Sequence, residues 1–288
     1  PGEIYLVICD ADMSRAWAPK DPRKSRIKYF APNGRVVERL KLYGVKEENI
    51  FLTGFPLPKE LIGGPEASII KKDLVARLCN LDPDGIFMDK YIRTLEMTLG
   101  PGTCPIRTRH PLTLTFSIGG AGAQKGLALD VMRSLKTHLL KNRITLRITA
   151  GTKREIADFF LHEIGALGLR TRLGKNLFVD FYHDRPTYFI EFSKILRKTD
   201  ILWTKPSELS FYTGAGIPII MAPSIGSQEQ FNRIWLKSVG GGITQNDPKY
   251  TNEWLFDWVN SGGLARLAWN GYIEAPTHGS YRIESIIT

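Results

Sequence analysis

From residue 112 to residue 222 short apolar runs alternate with helix-length segments, and this alternation most constrains what the chain can fold into. Residues 112–118, 145–149, 176–181, 201–203 and 217–222 read as strands. Residues 127–141, 153–165 and 188–197 read as helices, and 209–213 as a short helical segment broken by Gly214 and Gly216. Strands alternating with helices predict a parallel sheet covered on both faces. The polar turns after each strand then collect at the carboxyl edge, where open α/β sheets bind ligands.

The preceding part carries the same pattern in a shorter form. Residues 3–9, 26–30 and 50–53 read as strands, and 35–43 as a helix with Val36, Val37, Leu40 and Tyr43 at helical spacing. Residues 3–9 form an apolar run after Glu3, which predicts a strand buried on both faces. The fold expected is therefore α/β, with two Rossmann-like domains, the first incomplete. Residues 1–58 form the closing part of the first domain, 59–111 a linker and helical insertion, and 112–288 the second domain. The chain opens on Pro-Gly and enters a strand almost at once, so an amino-terminal truncation is expected. Residues 252–260 and 264–269 read as helices, and residues 271–288 have mixed character.

Composition narrows the partners. The net charge of +10 favours phosphate-bearing ligands or an anionic membrane surface. The basic residues are spread out, densest over residues 20–28, with no aromatic–basic module, which argues against nucleic acid. No apolar run reaches the roughly 18 residues of a transmembrane helix. Cys9, Cys79 and Cys104 show no CxxC spacing, which fits a reduced, cytoplasmic compartment. The 5 histidines have no metal-ligand spacing.

Four clusters carry candidate chemistry. Gly119, Gly120, Gly122 and Gln124 follow a strand and open a helix; glycines there let a backbone approach a diphosphate, and the helix supplies N–H groups and a positive dipole end. The other reading is a tight turn with a packing role. Gly151, Lys153 and Arg154 follow the next strand, and with Gly126 they leave an NADP-type fingerprint open. Lys205, Pro206, Ser207 and Glu208 follow a third strand, and Gln228, Glu229 and Asn232 a fourth; Gln and Asn both donate and accept, which suits a hydroxyl-rich ligand. Glu208 reads equally as a helix cap, and the last three as a solvated helix start. Asp10 and Asp12 end the first strand, as general bases or as a turn pair.

Taken in order, these residues resemble the GT-B glycosyltransferases, in the branch that holds MurG, plant monogalactosyldiacylglycerol synthase and bacterial processive diacylglycerol glucosyltransferases. Asp10 and Trp17 match a strand-end motif, and YFAPNGRVVERLKLYGVKEENIFLTGFPLP matches a strand–helix–strand segment. Gly119-Gly120-x-Gly122, Ala150-Gly151, Thr204-Lys205-Pro206, Gly216-Ile217-Pro218 and Gln228-Glu229-x-x-Asn232 match later motifs. The resemblance implies an inverting, metal-independent hexosyltransferase with no cofactor beyond its nucleotide-sugar substrate, a UDP-sugar. The acceptor it implies is a lipid or another hydrophobic molecule, met at the inner face of the membrane by a peripheral protein. The glycine loop would lie near the diphosphate, Gly151 near the base, Glu208 near the ribose, and Gln228, Glu229 and Asn232 near the sugar. Asp10 and Arg15 are the catalytic candidates. Arg15 stands where that branch has His, Ser207-Glu208 replaces a Gly-Gly, and the acceptor-side glycine loop is not in this sequence, so the fragment alone is expected to be inactive. A non-catalytic sugar-nucleotide-binding protein and an NADP enzyme are the alternatives.

Overall fold

The computed structural model describes residues 2–101, 111–119, 122 and 124–288. Two parallel sheets organise the chain. The first has the order β1-β2-β3, with β1 at Ile4–Val7, β2 at Ile27–Ala31 and β3 at Ile50–Leu52. Helix α1, Gly34–Leu42, buries Val36 and Leu40 against Ile8, Tyr29 and Ala31. Its start is fixed by Asn33, whose Oδ1 accepts from the Val36 amide at 3.0 Å. The expectation that residues 3–9 are buried on both faces fails. β1 pairs with β2 alone, and Ile4 remains 59% exposed, because a strand with one neighbour has an open edge.

Three helices follow: α2 at Lys59–Ile62, α3 at Ser68–Leu81 and α4 at Ile86–Leu99. Leu74, Leu78, Leu81, Phe87 and Leu95 enter the same core as the second sheet, so α3 and α4 pack as part of that body. Arg77 of α3 is fully buried and donates to the carbonyls of Leu196, Thr199, Ala215 and Gly216 at 3.3, 2.7, 3.0 and 3.2 Å.

The second sheet is all-parallel with six strands in the order β6-β5-β4-β7-β8-β9. These are β4 at Leu112–Ser117, β5 at Ile144–Gly151, β6 at Leu177–Phe181, β7 at Ile201–Thr204, β8 at Ile219–Met221 and β9 at Gly242–Thr244. The connections are α5 at Lys125–Ser134, α6 at Lys136–Leu140, α7 at Arg154–Ala166, α8 at Arg185–Arg197, a 3-10 segment at Glu208–Ala215, and α9 at Ser227–Ser238. Leu114, Phe116, Leu146, Ile148 and Trp203 fill one face of the sheet. The opposite face of β4 is Thr113, Thr115 and Ser117, all buried, with the Thr115 hydroxyl 2.7 Å from that of Thr199. Helices α10 at Thr251–Asn260 and α11 at Gly263–Glu274 close the core. The last helix, α12 at Gly279–Ile287, returns to the first part of the chain: Ser280 donates to the Leu57 carbonyl at 2.5 Å, Tyr281 accepts from the Gly64 amide at 3.1 Å, and Lys59 pairs with Glu284.

Candidate functional site at the strand-order reversal

Counted from β4, the second sheet runs third, second, first, fourth, fifth, sixth, the doubly wound arrangement. The strand order reverses between β4 and β7, the place beyond the carboxyl ends where sheets of this kind bind ligands. Gly119 follows β4 and Lys205 follows β7 at that point. The Lys205 stem crosses Gly119 so closely that a methyl group on Gly119 would meet Cε at 2.9 Å. Nζ of Lys205 then reaches Oε1 of Glu229 at 2.5 Å, while Oε2 of Glu229 accepts from the Ile225 amide at 2.6 Å. Burial pushes the Glu229 carboxyl up, but the Ile225 amide and Lys205 outweigh it and hold the group below its ordinary value.

One turn along α9, Asn232 is 0% exposed. Its Oδ1 accepts from the Ala11 amide at 2.7 Å, and its Nδ2 donates to Oδ1 of Asp10 at 2.8 Å and to the Pro206 carbonyl at 3.4 Å. The Ala11 carbonyl is in turn held by Nδ2 of Asn33 at 3.1 Å. Asn232 thus ties the loop after β1 to the loop after β7, and α9 supplies both this tie and the Lys205–Glu229 pair.

The two aspartates of the β1 loop part company. Asp12 is buried and takes Arg35 at 2.8 Å and both Nε and Nη2 of Arg39 at 3.1 and 3.0 Å. Burial pushes its carboxyl up, and Arg39, Arg35 and the Met13 amide together hold it below its ordinary value. It serves as an ion-pair centre. Asp10 takes its hydrogen bond from Asn232 instead, and both aspartates line a cavity of about 150 Å³ with Cys9, Met13, Trp17 and Gln228. Burial first, then Asp10 and Glu208, push the Cys9 thiol up, so the Glu208 carboxylate acts on the same loop. Arg15 does not line this cavity. Its Nη1 donates to the carbonyls of Ala18 and Pro19 at 2.9 and 3.1 Å, and its guanidinium lies 5.7 Å from the Tyr43 ring centroid.

Gln124 precedes α5 and is only 7% exposed, yet neither its Oε1 nor its Nε2 has a hydrogen-bond partner among the described residues. Gly122 before it adopts φ +66°, and a methyl there would meet Ile156 at 3.2 Å. Gly120 lies outside the described residues. Gly151 ends β5 at φ +60° and accepts from the Tyr182 amide at 2.9 Å. Ser207 caps the 3-10 segment, with Oγ accepting from the Leu209 amide at 3.4 Å, and Glu208 begins it, exposed to solvent. Tyr188 of α8 went unrecognised in sequence because nothing there marks which helical aromatic lies beside a strand end. Burial raises its phenol to about 12 against a hydrogen bond with Ser117, and its ring centroid is 6.1 Å from that of Tyr182. It is therefore a protonated donor at neutral pH. Among the described residues no three His, Cys, Asp or Glu side chains gather as a metal site.

Two parallel sheets, the first of three strands and the second doubly wound, fit the two Rossmann-like domains of the GT-B fold class. A UDP-GlcNAc 2-epimerase from Neisseria meningitidis, solved bound to UDP-GlcNAc, matches 90% of this chain and 60% of its own, with 12% identity and a TM-score of 0.52. MurG from Acinetobacter baumannii matches over 99% of both chains with 12% identity and a TM-score of 0.49. Anabaena HepE in complex with UDP matches 99% of this chain and 72% of its own, with 12% identity and a TM-score of 0.48. At such identities the likeness is one of fold. The chain spans about three-fifths of the length of the first structures it matches, 57% to 60%. No protein-family model matches the sequence, and no curated protein matches it either.

Proposed function

We propose that the protein binds a nucleotide sugar, of the UDP-sugar class, at the strand-order reversal and works in transfer of the sugar to a hydrophobic or lipid-linked acceptor. The observation that supports this reading is the Gln124 carboxamide, buried at the start of α5 beside Gly119 and Gly122 with no hydrogen-bond partner among the described residues. A helix amino end with a free amide side chain suits a diphosphate, which needs donors and positive potential. The Neisseria epimerase of the same fold is bound to UDP-GlcNAc, which makes UDP the first probe. In the transfer itself, backbone amides at this loop would stabilise the leaving diphosphate, and Asp10, facing the cavity with Gln228, would orient or deprotonate an acceptor hydroxyl. Membrane association at the inner face belongs to the same reading; no helix among the described residues is long and apolar enough to cross a membrane.

A second reading, binding without turnover, has its own support. Glu229 and Asn232, which the family resemblance places near the sugar, are fully engaged with Lys205, Ile225, Asp10, Ala11 and Pro206. Calorimetry with UDP tests the shared part of both readings. Gln124→Ala is expected to weaken UDP by about tenfold, from the loss of one hydrogen bond to a charged group. No heat at millimolar UDP would overturn both. Sugar release or transfer from a labelled UDP-sugar by the protein would then exclude the second.

A further inference from the structure

A groove of about 460 Å³ lies at the other edge of the first sheet. Its cations come from the turn before β2 (Arg23, Lys24, Arg26), from the start of β2 (Lys28) and from the turn before β3 (Lys46). These segments sit at the amino ends of parallel strands, whereas Asp10 follows the carboxyl end of β1, so the groove and the candidate site occupy opposite edges. Five cations face two carboxylates, Glu3 and Glu48. Glu3 is taken by Lys28 at 2.6 Å and Glu48 by Lys46 at 3.4 Å. Lys24 pairs outside the groove lining, with Asp21 at 3.2 Å. Arg23 and Arg26 form no ion pair among the described residues. The excess is thus concentrated on two guanidinium groups in a concavity of ligand size. Guanidinium is the cation best suited to phosphate, because its planar fork donates two parallel hydrogen bonds. A solvated basic surface would spread such charges over convex turns instead of lining one hollow with them.

We propose that this groove is a second binding site, for a phosphate-bearing anion, separate from the nucleotide-sugar crevice. Two sources carry that chemistry, an anionic lipid head group and a soluble polyphosphate, and the test separates them. The intact chain is sedimented with phosphatidylcholine vesicles with and without phosphatidylglycerol, and titrated with inositol hexakisphosphate, at low salt. At least one anionic probe is expected to bind. Arg23→Gln with Arg26→Gln is expected to weaken that probe by about tenfold or more, from roughly one basic-residue contribution each. Lys72→Gln with Lys175→Gln removes the same charge from exposed positions elsewhere and is expected to change binding by less than about twofold. Glu48→Gln removes one competing carboxylate and is expected to tighten binding, a gain that misfolding cannot imitate. Vesicle binding that inositol hexakisphosphate cannot displace assigns a lipid head group; displacement assigns phosphate itself. The proposal is overturned if the protein binds neither probe, if the control pair loses as much as the arginine pair, or if Glu48→Gln weakens binding. Failure here leaves UDP binding at the crevice untouched, and the reverse also holds.

Discussion

Asn232 shows how little of a polar residue's work is visible from its neighbours in sequence. Its motif position suggests a ligand-facing amide, but it is completely buried and makes three hydrogen bonds to two separate loops. Asn232→Ala is expected to cost about 2 to 3 kcal/mol in urea unfolding, because the Ala11 amide and Pro206 carbonyl lose their partner. Asn232→Asp should cost more than Ala at pH 7, since it sets a second carboxylate against Asp10, and should recover as the pH falls into the carboxylate range and the pair shares a proton. Asp12 makes the converse point about charge. Its folded carboxyl lies below the ordinary value of 3.8, so its ion pairs stabilise the protein above that pH and the contribution is lost as pH falls through the folded value. Asp12→Asn should therefore flatten the acid limb of the stability curve while lowering stability at pH 7 by about 2 kcal/mol, part of the pairing being solvent-screened at Arg35.

At the scale of elements, the apolar runs reveal where strands and helices lie but not what they pack against. The strands β4 to β8 were legible because each joins an apolar run to a Gly or Pro turn. β9 was not, since Gly242–Thr244 is three residues long and has no periodicity to read. Residues 127–141 read as one helix and form two, α5 and α6, parted at Leu135. Residues 59–111 read as a linker and helical insertion, and nothing in the sequence there sets Arg77 apart from a solvent-facing charge. In the fold that arginine holds the carbonyls at the end of α8 and at the end of the 3-10 segment together. Arg77→Met is expected to cost about 3 to 5 kcal/mol, because four carbonyls lose a shared donor inside the core. Arg77→Lys should rescue little of it, since one ammonium cannot reproduce the fork. A thermal melt of both variants checks the pair.

At the scale of the whole molecule, the carboxyl-terminal helix is the feature sequence least foretold. Residues 271–288 read as mixed, because Arg282 and Glu284 interrupt the apolar spacing of α12. Their polar groups are what the helix uses: Ser280, Tyr281 and Glu284 bond to Leu57, Gly64 and Lys59. Close approach is enforced by Gly279, where a methyl group would meet the Phe55 carbonyl oxygen at 2.3 Å. Deleting residues 276–288 should leave the six-stranded sheet folded and expose residues 53–64, read as new protease cleavage and faster amide exchange confined to that stretch.

Helix α9 reaches both sheets from one face, through Glu229 to the loop of the second and through Asn232 to the loop of the first. The first sheet therefore cannot part from the second without stripping a buried amide of two of its three hydrogen bonds, those to Ala11 and Asp10.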